Sequence, residues 1–488
     1  MNSGTSIRKG AAWLFLGNSS TQLLNFLFGI VLARLLAPEH FGALLTIQVF
    51  TGLASFVAGG GMGQALVRAK TAEQADFDIV FSLQLLIGLM IYGFFYYSAP
   101  YFSEWYSTPL YTDLLRVSAL SFILRPFVNV PANLLYRGMR FKEQTVINFG
   151  ALLISNILSV YLASAGHGVW SLIWSGLIGS LFSAAALIYV SKWIPRLSAN
   201  VGRAKDIVKY GFLVSANDIV GYIRGQSRTF ILSRTLGAAD VGLYNKGDSL
   251  ARIPHSFITG SVYQVLFRAL AAEQDDLDKC RYLYFRSITL VSVYASPLYI
   301  GILWLSEPII RGLYGPQWAE AAGPLFILAT VWPIWFMESL SGAVLAAKNW
   351  LRQELVAQFG ILLLMVATLA IGVSYGINGV AMAVAVTSIF STLCLAIMAS
   401  RCIKAKLISY IIALRPAIIL NLPMALVLAI TSGVTPTSIK EVDLLYALAM
   451  TIAGAITYIT SFLLLPIDEL KTERERWLIK LKLQKLPI

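Results

Sequence analysis

Charge is scarce in this sequence. Only 13% of its 488 residues are Asp, Glu, Lys or Arg, about half of what a soluble chain uses to cover its surface. No polar stretch is long enough to form a soluble domain of its own. Three cysteines (Cys280, Cys394, Cys402) lie in or near apolar runs, with neither a disulfide framework nor metal spacing. The three histidines, His40, His167 and His255, have no partners at metal-ligand or triad spacing. There is no Walker loop, which excludes ATP hydrolysis within the chain. Glycan polymerases and ligases need a sizeable loop to hold catalytic groups, and none is present. These gaps argue against an enzyme, a metal site and a cofactor.

What fills the sequence instead is apolar: 57% of residues are hydrophobic and the mean hydropathy is +0.71. The runs recur from end to end, and about 20 such residues suffice for a helix to cross a bilayer. The chain therefore reads as an all-α integral membrane protein with about fourteen spans. They are expected at 11–36, 41–67, 79–99, 113–136, 144–164, 168–191, 206–234, 241–270, 282–305, 317–346, 352–373, 377–400, 407–431 and 443–466. Arg8 and Lys9 precede the first run without a small-residue cleavage site, so that run is read as a retained helix.

The net charge of +13 suggests positive-inside bias rather than nucleic-acid binding. Loop lysines and arginines collect on alternate loops, and only Arg34, Arg234, Arg311 and Lys440 fall on the others. This alternation predicts an even number of spans with both termini cytoplasmic. The tail beyond Lys471 mixes lysines with Trp477, Leu478 and Leu481, compatible with an amphipathic helix on an anionic leaflet or a solvated tail.

An internal repeat organises the spans. Leu32, Arg34, Leu36 and Gly42 recur at an offset of 200 as Leu232, Arg234, Leu236 and Gly242. Gly60, Gln64, Leu66, Arg68 and Ala69 recur as Gly260, Gln264, Leu266, Arg268 and Ala269. Further along the offset is 210, where Phe149-Gly150 faces Phe359-Gly360. Six helices thus repeat as six in the same orientation, followed by an extra pair. The expected divisions are 1–200, 201–403, 404–467 and a basic tail at 468–488. Parallel repeats of this kind frame the cleft of transporters that alternate access. Gly59-Gly60-Gly61 reads as a helix break or close-packing point.

Eight cations fall inside expected spans: Arg116, Arg125, Arg224, Arg228, Lys246, Arg252, Arg286 and Arg415. Arg116 and Arg286 lie near helix ends and can snorkel; Arg415, beside Pro416, leans towards a structural role. Asn217, Gly221, Arg224 and Arg228 share one helix face, as do Tyr244, Asp248 and Arg252. Arg224 and Arg252 lie about 15 Å deep by helical rise, and Arg125 is also mid-membrane. Each buried arginine costs at least about 2.5–3.5 kcal/mol to insert, so several imply a wet cavity with a use. One reading neutralises them with Asp218, Asp248 and Glu338, and Asp248–Arg252 has ion-pair spacing. The other leaves a positive excess in which Arg224, Arg228, Arg252 and Lys246 bind an anion, for which guanidinium suits phosphate. Asp218, Asp248 and Glu338 are then candidates for ion coupling. On the first span Asn18, Gln22 and Asn25 form a neutral amide stripe, suited to helix packing or to sugar hydroxyls.

The segments from Arg34 to Gly42 and from Arg234 to Lys246, with Phe149-Gly150 and Gly166/Gly168, resemble polysaccharide transporters. These are the Wzx-type flippases of the multidrug/oligosaccharidyl-lipid/polysaccharide superfamily, and the resemblance runs from Ile7 to about Pro466. It implies two six-helix lobes around a cationic cavity in the bacterial inner membrane. The implied substrate is an undecaprenyl-diphosphate-linked oligosaccharide, its diphosphate held by Arg224, Arg228 and Arg252. It further implies a monomeric transporter among membrane lipids, working with a glycan polymerase and other export proteins. Fourteen spans departs from the twelve of some relatives. A multidrug antiporter of the same superfamily is the alternative, although its cationic drugs favour an acidic cavity. A third reading is a scaffold for glycan assembly without transport.

Overall fold

The structure is a computed structural model, and it describes residues 3–59, 61–63, 66, 73–198, 219, 222–223, 225–435 and 442–480. Among these residues it is all helix and connecting turns. The helices are α1 (Ser3–Leu35), α2 (Pro38–Gly59), α3 (Gln74–Trp105), α4 (Leu110–Arg137), α5 (Phe141–Ser164) and α6 (Trp170–Ser191). A helical stretch at 225–235 precedes α7 (Ala238–Ala272), α8 (Leu277–Tyr314), α9 (Ala322–Ala347), α10 (Leu351–Gly372) and α11 (Gly376–Cys402). Then come α12 (Ile408–Val434), α13 (Asp443–Leu464) and the short α14 (Lys471–Lys480).

Nine helical segments among the described residues are long and apolar enough to cross a membrane, or ten if one pair bent by 50° is counted as a single span. Fourteen were expected. Part of the difference is local chemistry: α7 carries Asp240, Lys246, Asp248, Arg252 and Arg268. Another part is that α10 and α11 form one continuous run in that reckoning. They fold back on each other, because Gly372 and Gly379 let their backbones meet. Most of the seventh expected span lies outside the described residues.

Prolines shape the long helices without ending them, as expected where neighbouring helices or side chains satisfy the freed carbonyls. Inside α8 lie Pro297 and Pro308, with a non-helical residue, Leu305, at φ −113° and ψ 16°. Pro324 sits in the first turn of α9, where no N–H is needed. The second expected span, 41–67, is interrupted at Gly61, whose φ is 55°; α2 is described to Gly59, and residues 60, 64–65 and 67 lie outside the described residues.

The chain divides into two compact units, Met1–Gly242 and Leu243–Ile488. In the first, α3 packs on α4, α4 on α6, α5 on α6 and α1 on α5. Its core gathers Ile47, Phe95, Leu114, Phe122 and Ile173. In the second, α8 packs on α9, α9 on α11 and α10 on α11, the same pairing order six spans later. The added pair α12–α13 packs against α8 through Leu420, Met424, Met450 and Tyr458. The Tyr458 hydroxyl donates to the Val293 carbonyl and Asn421 donates to Ser296 Oγ at 2.6 Å, which satisfies polar groups that lipid cannot.

The repeat is also visible within the first unit. Gly42 on α2 lies against the start of α7, where an added Cβ would stand 2.5 Å from the Ala238 carbonyl carbon. Gly242 on α7 lies against the start of α2, 2.8 Å from the Pro38 carbonyl carbon by the same measure. Residues 200 apart thus exchange equivalent contacts, and only glycine permits the approach. Phe50, Trp105 and Phe230 cluster beside this seam, with the Tyr106 hydroxyl 3.1 Å from Ser233 Oγ.

Candidate functional site

The second unit presents a polar strip on α7. Asp248 is buried, and its Oδ2 accepts from Arg252 Nε at 2.8 Å, one helical turn away. The Arg252 guanidinium also lies 5.5 Å from the centre of the Trp335 ring on α9. His255 packs on that same indole with ring centres 4.3 Å apart. Glu338 is half-buried and one turn beyond Trp335, on the same face of α9.

Lys246 lies two residues before Asp248, towards the start of α7. Its Nζ is 4.9 Å from the Tyr314 ring centre and 5.4 Å from that of Trp318. Trp318 is fully buried, on the short 3-10 turn Pro316–Ala321 that begins after Gly315 at φ 101°. Gly247 lets this turn approach, since a Cβ there would stand 2.7 Å from the Ala321 carbonyl oxygen. The aromatic faces attract the ammonium through their quadrupoles. The expected Asp248–Arg252 pair is thus present, and Lys246 stands against rings rather than on the open strip. Arg252 and Lys246 together match Asp248 and Glu338 in formal charge.

The first unit places Arg125 half-buried on α4, before Pro126, and Arg228 half-buried on the 225–235 helix. Gln22 and Asn25 are exposed along α1. The side chain of Asn18, and Asn217, Asp218 and Arg224 altogether, lie outside the described residues. The formal positive excess inferred from the sequence therefore rests on Arg125, Arg224 and Arg228, not on the α7 strip.

A further polar feature was missed by sequence reasoning. Arg125, Asn129, Asn133 and Arg137 recur every four residues along one face of α4. Gly59, the last residue of α2, and Gly63 lie beside Asn129 and Asn133 respectively. Arg137 Nη1 donates to the Leu66 carbonyl at 2.7 Å, and Gln84 Nε2 donates to the Gly59 carbonyl at 3.0 Å. Side chains thereby satisfy carbonyls released where α2 stops, as irregular backbone at membrane depth requires. The i, i+4, i+8, i+12 spacing was the available signal.

Arg286 also departs from expectation. Rather than snorkelling, it donates to the Glu469 carbonyl and pairs with Glu473 at 3.3 Å, tying α8 to α14. Arg116 donates to the Tyr96 carbonyl at 3.2 Å and covers that ring. Among the described residues no group of three or more His, Cys, Asp or Glu is placed to hold a metal ion.

With this geometry in hand, comparison with known proteins is informative. A family model described as polysaccharide biosynthesis protein matches residues 31–323, more than half of the chain. The chain belongs to that family. It is 28% identical over 341 residues to the succinoglycan biosynthesis transport protein ExoT of Rhizobium meliloti, covering 70% of this chain and 67% of that one. It is 23% identical over 463 residues to the teichuronic acid biosynthesis protein TuaB of Bacillus subtilis, covering 93% and 94%. Its fold matches the lipid II flippase MurJ in an inward closed conformation, with TM-score 0.73 and 16% identity over 91% of this chain and 96% of that one. The resemblance to polysaccharide transporters is borne out, and the chain is a multi-pass membrane protein of that fold.

Proposed function

We propose that the protein is a flippase that moves an undecaprenyl-diphosphate-linked oligosaccharide across the bacterial inner membrane for surface polysaccharide synthesis. Intramembrane cations in a member of a polysaccharide biosynthesis family carry this reading, because a lipid diphosphate is the anionic part of such a substrate. Arg125, Arg224, Arg228, Arg252 and Lys246 hold the diphosphate in this scheme. Asn18, Gln22, Asn25 and Asn217 meet the glycan. The isoprenoid tail stays in lipid while two lobes, 1–200 and 201–403, rock about the bound headgroup. Both termini are cytoplasmic, the chain works as a monomer, and no covalent step takes place on it.

Coupling to an ion gradient falls to Asp218, Asp248 and Glu338. Asp248, bonded to Arg252, would take a proton or cation only by releasing that arginine, which links uptake to the grip on the anion. A multidrug antiporter is less well supported, since a cationic drug needs an acid not engaged by arginine. Deleting the protein in its host and labelling lipid-linked oligosaccharides by leaflet tests the proposal. Accumulation on the cytoplasmic leaflet is expected. Unchanged export, or a change confined to drug sensitivity, would remove the flippase reading.

A further inference from the structure

A cavity that bears on a second ligand lies apart from the α7 strip, at one end of the second unit. It holds about 720 Å³ between α8, α12 and α14, and its walls include Arg281, Tyr282, Arg286, Ile412, Glu473 and Arg476. Glu473 is engaged twice, by Arg286 at 3.3 Å and by Arg476 at 2.9 Å. Arg281 pairs with Asp278, whose side chain is 90% exposed, an arrangement worth little in water. Glu469 also lines the groove, with Arg415 only at 4.0 Å. Three guanidinium groups, those of Arg286, Arg415 and Arg476, thus meet two lining carboxylates, and Arg281 with its exposed partner Asp278 adds a fourth at the groove wall, four cations against three acids.

Arg415 identifies the surroundings. Its side chain is 68% exposed, yet Ile411 and Ile418, one turn to either side on the same face of α12, are 64% and 57% exposed. In a membrane protein such a face meets acyl chains, and an arginine among them reaches for a phosphate. The site also has an aromatic rim: Tyr282 is exposed, and Trp477 Nε1 donates to the Tyr294 hydroxyl at 3.0 Å. Lys279 lies in the first turn of α8, and Lys404 and Lys406 lie in the turn before α12.

We propose that this groove binds the phosphate of an anionic phospholipid headgroup, with Arg281, Arg415 and Arg476 as the ligating cations and the acyl chains along Ile411 and Ile418. Bidentate guanidinium contacts give the phosphate its geometry, and the excess charge selects an anionic lipid over a zwitterionic one. Arg286 stays with Glu473 and holds α14 in place. The proposal is independent of which glycan the protein moves, or whether it moves one.

Native mass spectrometry of the full-length protein, titrated with phosphatidylglycerol, phosphatidylcholine and inorganic phosphate, tests it. One phosphatidylglycerol should be retained in preference to phosphatidylcholine, and inorganic phosphate at millimolar concentration should not displace it. The variant R281Q/R415Q/R476Q should lose about a hundredfold in that affinity, from a factor of roughly five for each cation near the surface. The single exposed substitution Arg415→Gln should lose about fivefold without touching the core. Equal retention of both lipids, displacement by inorganic phosphate, or undiminished affinity in Arg415→Gln and the triple variant would each overturn the assignment.

Discussion

Replacing Gly42 by alanine adds one methyl group where α2 meets the start of α7. That carbon would stand 2.5 Å from the Ala238 carbonyl carbon, whereas non-bonded carbons rest at about 3.5–4.0 Å. The obstacle is backbone, with the Ala238 carbonyl oxygen nearer still than its carbon, so no side chain can rotate away and the helix starts must separate by more than about 1 Å. Overpacking of this kind costs about 1–3 kcal/mol. Gly242→Ala meets the Pro38 backbone in the same way and should cost a similar amount. Because one displacement relieves both clashes, the double variant should cost less than the two together, with a coupling of about 0.5–3 kcal/mol. Gly93 supplies the control: it lies within α3 with nothing within 4 Å of an added Cβ, and alanine there should gain up to about 1 kcal/mol in helix propensity. Thermal unfolding of the purified full-length variants in one detergent measures all four. If Gly42→Ala behaves like Gly93→Ala, or the two seam substitutions add, the reciprocal contact between repeats is wrong.

Three other outcomes follow from named contacts. Asp248→Ala removes the carboxylate bonded to the Arg252 guanidinium, whose side chain is about a third exposed, so it should destabilise by about 1–3 kcal/mol; in a double-mutant cycle of thermal stability, adding Arg252→Ala should recover part of the loss. Gln84→Leu leaves the Gly59 carbonyl without its side-chain donor and should cost about 1–3 kcal/mol, accompanied by faster proteolysis near residues 59–66. Asp276 caps α8 and is held below the usual carboxylate range, chiefly by the Lys279 backbone N–H and then by the Lys279 charge. A depressed folded pKa contributes stability above the unfolded value and loses it as pH falls through the folded one. Stability should therefore decline at acid pH in the native protein, and less so in Asp276→Asn, as followed by unfolding between pH 3 and 6 (roughly the carboxylate range).

The membrane architecture was legible because lipid imposes a one-dimensional rule that hydropathy reads directly. The repeat was legible for a related reason: Gly42 and Gly242 are identical where two backbones meet, so the steric demand left a mark in both halves. The Asp248–Arg252 pair was readable because i, i+4 neighbours on a helix meet whatever surrounds them. What escaped was contact between distant segments. Periodicity placed Lys246 near a functional face, but it could not reveal that Trp318, 72 positions later, would lie beneath its ammonium. Nor could it show Arg286 reaching Glu473 on α14. The break in α2 was suggested by three consecutive glycines, but the side chains that satisfy it come from α3 and α4.

Glycan export by the Arg224→Ala/Arg228→Ala double variant is the most direct test of the transport account. Both arginines belong to one expected helix face. The variant should reach the membrane at normal abundance, export no glycan, and leave lipid-linked oligosaccharide on the cytoplasmic leaflet. Export at the unmodified rate with both arginines gone would contradict the claim that intramembrane cations hold the substrate.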